Sequence, residues 1–218
     1  VSDTIANEYT RLYDIKKPWV VLNCPHFATG LKGNLFREKF GLLDNQKIFL
    51  YQGSLNPGRG VELILESFSS FTTDKFVIIF MGYGSLTSII SEHASKNILY
   101  HEAVSPNILL NFTASADYGI AFVEDSCLSY RYCLPNKLFE YLMANLPVIT
   151  SNLPEMRKVV ENYGVGVVAE ENSIDGFLGA INKLVAMNHD TLRENIAETH
   201  RVFSWESQEK VIFRAYDV

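Results

Sequence analysis

Cysteine is scarce in this sequence: Cys24, Cys127 and Cys133 are the three in 218 residues. An odd count at these spacings makes no even disulfide set and no C-x-x-C metal pair. Free thiols in a reduced, cytoplasmic compartment are expected. No zinc, calcium or H-E-x-x-H pattern is present, so neither metal nor cofactor is expected. Dense Lys/Arg runs are missing and the net charge is −6, which argues against a nucleic-acid partner. The longest apolar runs, such as 76–81, are strand length and far short of a bilayer span. No charged-then-apolar leader opens the chain, and it begins at Val1 rather than Met, as a fragment of a longer protein would. Internal repeats and low-complexity segments are absent as well.

What is present suits a single sizeable core, with 47% of residues hydrophobic. Apolar runs of strand length fall at 19–22, 47–51, 76–81, 97–101, 118–123, 147–150 and 165–168. Helical patterns lie between and after them, near 60–71, 85–95, 106–115, 136–144, 154–162, 174–187, 190–200 and 205–216. Val61, Ile64, Leu65 and Phe68 recur at i, i+3, i+4 and i+7, as do Ile174, Phe177, Leu178 and Ile181. This alternation predicts an α/β fold with a doubly wound parallel sheet. Ligands of such sheets sit beyond the carboxyl ends of the strands, at a switch point.

The richest segment is 134–149, Leu-Pro-Asn-Lys-Leu-Phe-Glu-Tyr-Leu-Met-Ala-Asn-Leu-Pro-Val-Ile. It reads as a loop, a short helix, a turn and a buried strand. Lys137 and Glu140 leave one face at i and i+3, while Leu134, Leu138 and Leu142 mark the core face. Pro135 suits the first helical turn, where a missing N–H costs nothing. A helix starting just after a strand aims unpaired amides at a crevice, which favours an anion such as phosphate. By spacing alone, Lys137 and Glu140 also fit an ordinary surface pair.

The pattern P-x-K-L-x-E-Y-x-x-A-x-x-P-V-I resembles the donor-site segment of family 4 glycosyltransferases, which have the GT-B fold. Three further strand-end motifs resemble the same family in order and spacing. Gly53-Ser54-Leu55-Asn56-Pro57-Gly58-Arg59-Gly60 is similar to its G-R-L-x-x-x-K-G, with Arg59 at the Lys position and Ser54 replacing the Arg. Gly82-Tyr83-Gly84 is similar to its G-x-G turn, and Tyr100-His101-Glu102 to its F-x-G, with His101 replacing the glycine. Segment 20–25 resembles the family's crossover, and 203–206 followed by Tyr216 its C-terminal helix. Taken alone, each of these turns also reads as a plain strand-to-helix connection, and His101 as a structural histidine.

The resemblance covers nearly the whole chain and implies the C-terminal, donor-binding, Rossmann-like half of a GT-B enzyme. Residues 1–17 are then the tail of a preceding domain, and 18–218 the donor-binding domain with its C-terminal helices. It further implies Arg59 and Lys137 on the diphosphate of a nucleotide-sugar and Glu140 on the ribose. Gly53, Ser54, Gly60, Gly82, Gly84, Glu102, Tyr132, Leu134, Pro135, Asn136 and Leu138 are the expected donor contacts, several through main chain. Tyr132 stands where the first Glu of the family's E-x7-E falls, and it supplies no carboxylate. Glu124 or Asp125 folding back, backbone amides of 134–136 acting alone, or nucleotide binding without chemistry are the three ways to fill that gap.

The expected activity is transfer of a sugar with retention at the anomeric carbon. The expected partners are a nucleotide-sugar donor, a sugar or lipid-linked acceptor for a polysaccharide or glycolipid, and an N-terminal half without which transfer is weak. Peripheral membrane association of the whole enzyme follows from a lipid-linked acceptor. A nucleotide- or partner-binding module without catalysis, and a GT-B nucleotide-sugar epimerase, are the alternatives.

Overall fold

In the computed structural model the described residues are 2–31 and 33–216. The elements run α1 (Asp3–Tyr13), α2 (Leu35–Phe40), β1 (Lys47–Ser54), α3 (Val61–Ser69), β2 (Phe76–Tyr83), α4 (Thr87–Glu92), β3 (Ile98–Glu102), α5 (Pro106–Thr113) and β4 (Tyr118–Ala121). They continue with α6 (Leu128–Arg131), α7 (Asn136–Met143), β5 (Val148–Thr150), α8 (Pro154–Tyr163), β6 (Gly166–Val168), α9 (Ile174–Ala186), α10 (His189–Thr199) and α11 (Trp205–Ala215). The strands form one parallel sheet in the order β3-β2-β1-β4-β5-β6. The chain winds outward from β1 to β3 and then returns to place β4 on the other side of β1. The switch point therefore lies between β1 and β4.

Both sheet faces are covered, as the apolar runs require. Ile48 and Leu50 of β1 and Val77 and Ile79 of β2 face one core with Leu138, Phe139, Leu142, Met156 and Ile196. Their alternates Phe49, Tyr51, Ile78 and Phe80 face the other, with Val61, Ile64, Leu65 and Phe68 of α3 and Phe177 and Ile181 of α9. The period of two along each strand thus feeds two separate cores.

Several expected elements differ. Segment 19–22 joins no strand. The Leu22 N–H donates to Gln208 Oε1 of α11 at 3.0 Å, and Pro25 O accepts from Trp205 N–H at 2.8 Å. A side chain and a helix start take the hydrogen bonds that a sheet edge would have taken. β4 ends at Ala121 because Val123 N–H turns to Ser151 Oγ at 2.6 Å. α2 and the four-residue α6 have no counterpart among the expected helices, and Pro135 is the N-cap of α7 rather than its first residue. α1 packs on the same body: Ser2 Oγ donates to Tyr132 O at 2.7 Å, and Thr4 Oγ1 to Glu155 Oε1 at 2.5 Å. Among the described residues no helix is long and apolar enough to cross a membrane.

At the switch point β1 and β4 pair only at Phe49–Tyr118 and Leu50–Gly119 and then splay apart. The fully buried Tyr141 of α7 fills the gap. Its hydroxyl accepts from Gln52 N–H at 2.9 Å and lies 3.0 Å from Leu50 O and 3.2 Å from Ile120 O. Gly119 makes room for the ring, since a Cβ there would stand 2.3 Å from Tyr141 Cγ. Tyr141→Phe should leave the Gln52 amide buried without a partner and cost about 1–3 kcal/mol. Urea denaturation should show a lower midpoint at unchanged slope; an unaltered midpoint would remove Tyr141 as the bridge.

Candidate functional site

A cleft of about 430 Å³ opens at the carboxyl ends of β1, β2 and β3, against the first turn of α7. Its floor is Gly53 and Gly82, which face each other in the β1–β2 register. A Cβ on Gly82 would stand 1.9 Å from Gly53 O, so no side chain can rise there. Gly53 has φ 110°, and a Cβ on it would press towards Lys137 Cε at 3.7 Å. Met81, Val104 and Leu109 supply apolar lining, and Pro135, Asn136, Lys137 and Glu140 of the α7 start line it together with Arg59.

The two cations lie on aromatic faces. Lys137 Nζ stands 3.5 Å from the centroid of the Tyr51 ring, and Arg59 Cζ stands 4.5 Å from that of Tyr130. Among the described residues neither cation has an ion pair, and Lys137 and Glu140 do not pair with each other. Burial first, and Arg59 second, push the Lys137 ammonium down to about 7, while Glu140 pulls the other way. Burial raises the Glu140 carboxyl above its usual range, against the lowering effect of Gln52 and Lys137. Gln52 Nε2 donates to Glu140 Oε2 at 2.5 Å. The first turn of α7 adds the backbone amides of Asn136 and Lys137, while Leu138 N–H already donates to Pro135 O at 3.0 Å. Two under-compensated cations and a helix start in one cleft suit a polyanion, with Glu140 beside it for hydroxyls.

The structure brings Gly53, Ser54, Arg59, Gly82, Pro135, Asn136, Lys137 and Glu140 together on this cleft. The remaining expected contacts lie elsewhere. Gly60 is the α3 N-cap at φ 71°, where a Cβ would meet Phe122 at 2.9 Å. Gly84 packs on the Leu55 carbonyl. The Glu102 side chain is exposed, and its carbonyl lies 2.6 Å from His101 Nδ1, while Ala103 and Val104 line the cleft. Tyr132 caps α6, Leu134 lines a hollow behind the site near Asp3 and Phe203, and Leu138 is core. Asp125 is held by Arg131 at 2.8 Å, and Glu124 faces a separate hollow with Phe122 and Asn172, so neither carboxylate reaches the cleft. His101 is buried among Phe36, Phe40 and Phe112. Gln52, Tyr51, Met81 and Leu109 are not among the expected contacts, although Met81 opens the Gly82-Tyr83-Gly84 motif. A glutamine closing an apolar strand run just before Gly53 was the available signal.

The family model described as glycosyl transferases group 1 matches residues 34–203. A Bacillus subtilis protein named as a teichuronic acid biosynthesis glycosyltransferase, TuaH, is 31% identical over 107 residues, 47% of this chain and 26% of that protein. An Escherichia coli protein named as a colanic acid biosynthesis glycosyl transferase, WcaI, is 22% identical over 170 residues, 74% of this chain and 41% of that protein. The chain thus matches well under half the length of either relative. Among solved structures, Anabaena HepE in complex with UDP superposes at a TM-score of 0.73 with 12% identity, over 91% of this chain and 57% of that one. That likeness shows the fold.

The lowered Lys137 has a pH signature. Below about pH 7 it is an ammonium in the empty cleft; above that it is neutral, and an anion must draw a proton in to recharge it. Sulfate keeps its charge throughout this range, so its affinity reports the protein. That affinity should be level below about pH 7 and fall by up to about tenfold per unit above it. Lys137→Ala should bind less tightly and lose the slope. A level wild-type profile from neutral to alkaline pH, followed by thermal shift, would show that Lys137 does not bind the anion.

Proposed function

The chain belongs to the group 1 glycosyl transferases, and from that premise we propose that it forms the donor-binding part of an enzyme using a nucleotide diphosphate sugar. The observation that carries this reading is the convergence of Arg59, Lys137, the α7 start and Glu140 on one cleft. Arg59 and Lys137 take the diphosphate, whose negative charge grows as its bond to the anomeric carbon breaks. Glu140 accepts hydroxyls of the ribose, and the apolar lining of Met81, Val104 and Leu109 receives the base. The acceptor hydroxyl forms the new bond to the anomeric carbon as the bond to the diphosphate breaks, its proton passing to the departing diphosphate, with retention, as the family resemblance implies. The UDP complex of a structural neighbour makes UDP the first nucleotide to try.

Relatives named for teichuronic and colanic acid biosynthesis support a sugar or lipid-linked sugar acceptor. We place the reaction in the cytoplasm, with the whole enzyme reaching a membrane surface when its acceptor is lipid-linked. A separate N-terminal half would close over the donor, so this chain alone should bind donor but transfer little. One observation favours a second reading, a nucleotide-binding module without chemistry. Glu140 is the single carboxylate on the described cleft lining, since Tyr132 replaces one and Asp125 is tied to Arg131.

A thermal-shift panel of UDP, GDP, ADP and CMP on wild type and Glu140→Ala tests the site. A ligand at about 100 times its dissociation constant stabilises by about 2.7 kcal/mol, a rise of several degrees. One diphosphate is expected to shift wild type strongly and the variant much less. No shift with any nucleotide would sink the donor reading. Binding followed by no turnover, once the N-terminal half is supplied, would select the module.

A further inference from the structure

The polar chain behind Glu140 does not belong to the diphosphate end of the cleft, and it is buried. Gln52 is 2% exposed and Thr113, the last residue of α5, is fully buried. Thr113 Oγ1 lies 2.8 Å from Gln52 Oε1, and Gln52 Nε2 lies 2.5 Å from Glu140 Oε2. Burying an amide and a hydroxyl between apolar neighbours costs free energy that a leucine and a valine would not incur. Both therefore call for a use. We infer that Thr113 and Gln52 are positioning residues that hold one oxygen of Glu140 so that the other meets a pair of ligand hydroxyls. This rests on the reading of the cleft as a nucleotide site.

The chemistry of the three groups sets the direction. An ionised carboxylate only accepts, so Gln52 must turn its NH₂ towards Glu140 and its carbonyl oxygen towards Thr113. Thr113 can then donate. The hydroxyl carries a single proton, and Leu109 O, one turn back on α5, lies within 2.9 Å as a competing acceptor. When the proton goes to Gln52, the amide has one favourable orientation. When it goes to Leu109, the Thr113 oxygen becomes an acceptor, the amide is free to turn over, and its oxygen would then oppose the carboxylate. The Glu140 carboxylate thus sets which way Gln52 turns, Thr113 reinforces that orientation when its proton goes to Gln52 Oε1, and Gln52 in turn holds Glu140. A glutamate fixed before the ligand arrives need not lose that rotamer freedom on binding. Its free oxygen then recognises hydroxyls, not phosphate, so the relay belongs to the sugar-ring part of a nucleotide.

The test separates hydroxyl recognition from general stability. Affinities of the whole chain would be measured for the nucleoside diphosphate (of uridine, guanosine or adenosine) that binds best, for its analogue lacking both ribose hydroxyls, and for pyrophosphate. Wild type should prefer the hydroxyl-bearing ligand by about tenfold or more. Thr113→Val keeps shape and removes the hydroxyl, with its bonds to Gln52 and Leu109; it should cut that preference to about threefold or less and leave pyrophosphate affinity within about twofold. Gln52→Met, which deletes the bond to Glu140 outright, should do the same if Thr113→Val folds poorly. Thr113→Ser, which keeps the hydroxyl, should restore the preference. A preference retained in both Thr113→Val and Gln52→Met overturns the relay, and so does an equal loss for all three ligands. A wild type that binds the diphosphates without a hydroxyl preference also overturns the relay and leaves the nucleotide site standing. A wild type that binds no nucleotide overturns both.

Discussion

One hydroxyl at the switch point joins the fold to the site. β1 and β4 part beyond the Leu50–Gly119 pair, and parting leaves backbone groups of both strands without a ladder. Those groups are buried, so each needs a partner. The Tyr141 hydroxyl serves instead, accepting from β1 and reaching carbonyls of β1 and β4 at once. The ring that carries it comes from α7, so the same bond that closes the splayed sheet also fixes the rotation of α7. Glu140 precedes Tyr141 and Lys137 lies one turn earlier. Their directions into the cleft follow from where Tyr141 must point. Gly119 completes the arrangement by having no side chain where the ring enters.

The cations show how a long-range contact overrides a local one. Helical spacing puts Lys137 and Glu140 on one face, and an ion pair between them would be worth a few tenths of a kcal/mol. In the structure they take partners from β1 instead, Lys137 the face of Tyr51 and Glu140 the amide of Gln52. An aromatic face holds a cation without neutralising it. Arg59 on Tyr130 repeats the device on the other side. Below about pH 7 the cleft therefore keeps the positive charge of both groups, where carboxylate partners would have cancelled it.

Much of the sheet was legible because its signals are local. The runs at 47–51 and 76–81 are long enough to be buried on both faces, and the α3 stripe of Val61, Ile64, Leu65 and Phe68 packs as its spacing requires. Segment 19–22 carries the same kind of apolar run and forms no strand. Composition cannot say whether a sheet edge is within reach, and here α11 supplied the hydrogen bonds. α6 stayed hidden because four residues show no periodicity, and with it went the stacking of Tyr130 on Arg59. Gln52 was hidden for a different reason: a polar residue at the end of an apolar run reads as the end of the strand. β1 in fact continues to Ser54, which places that glutamine inside the sheet and beside α7.

The residues that line the cleft and those that only resemble a motif divide along a physical boundary. Gly53 and Gly82 lie where the two strands present bare backbone to the cleft. Gly60 and Gly84 lie where Phe122 and the Leu55 carbonyl come too close for a Cβ. All four fall in strand-end motifs, Gly53 and Gly82 inside β1 and β2 and Gly60 and Gly84 beyond them, and sequence spacing treats them alike. The cleft separates them: Gly53 and Gly82 line it, although a Cβ on Gly82 would also meet Gly53 O at 1.9 Å, and Gly60 and Gly84 close the turns beside it. A motif glycine is thus a statement about crowding, and whether the crowding comes from a ligand or from the protein itself is decided by what the neighbouring strands leave open.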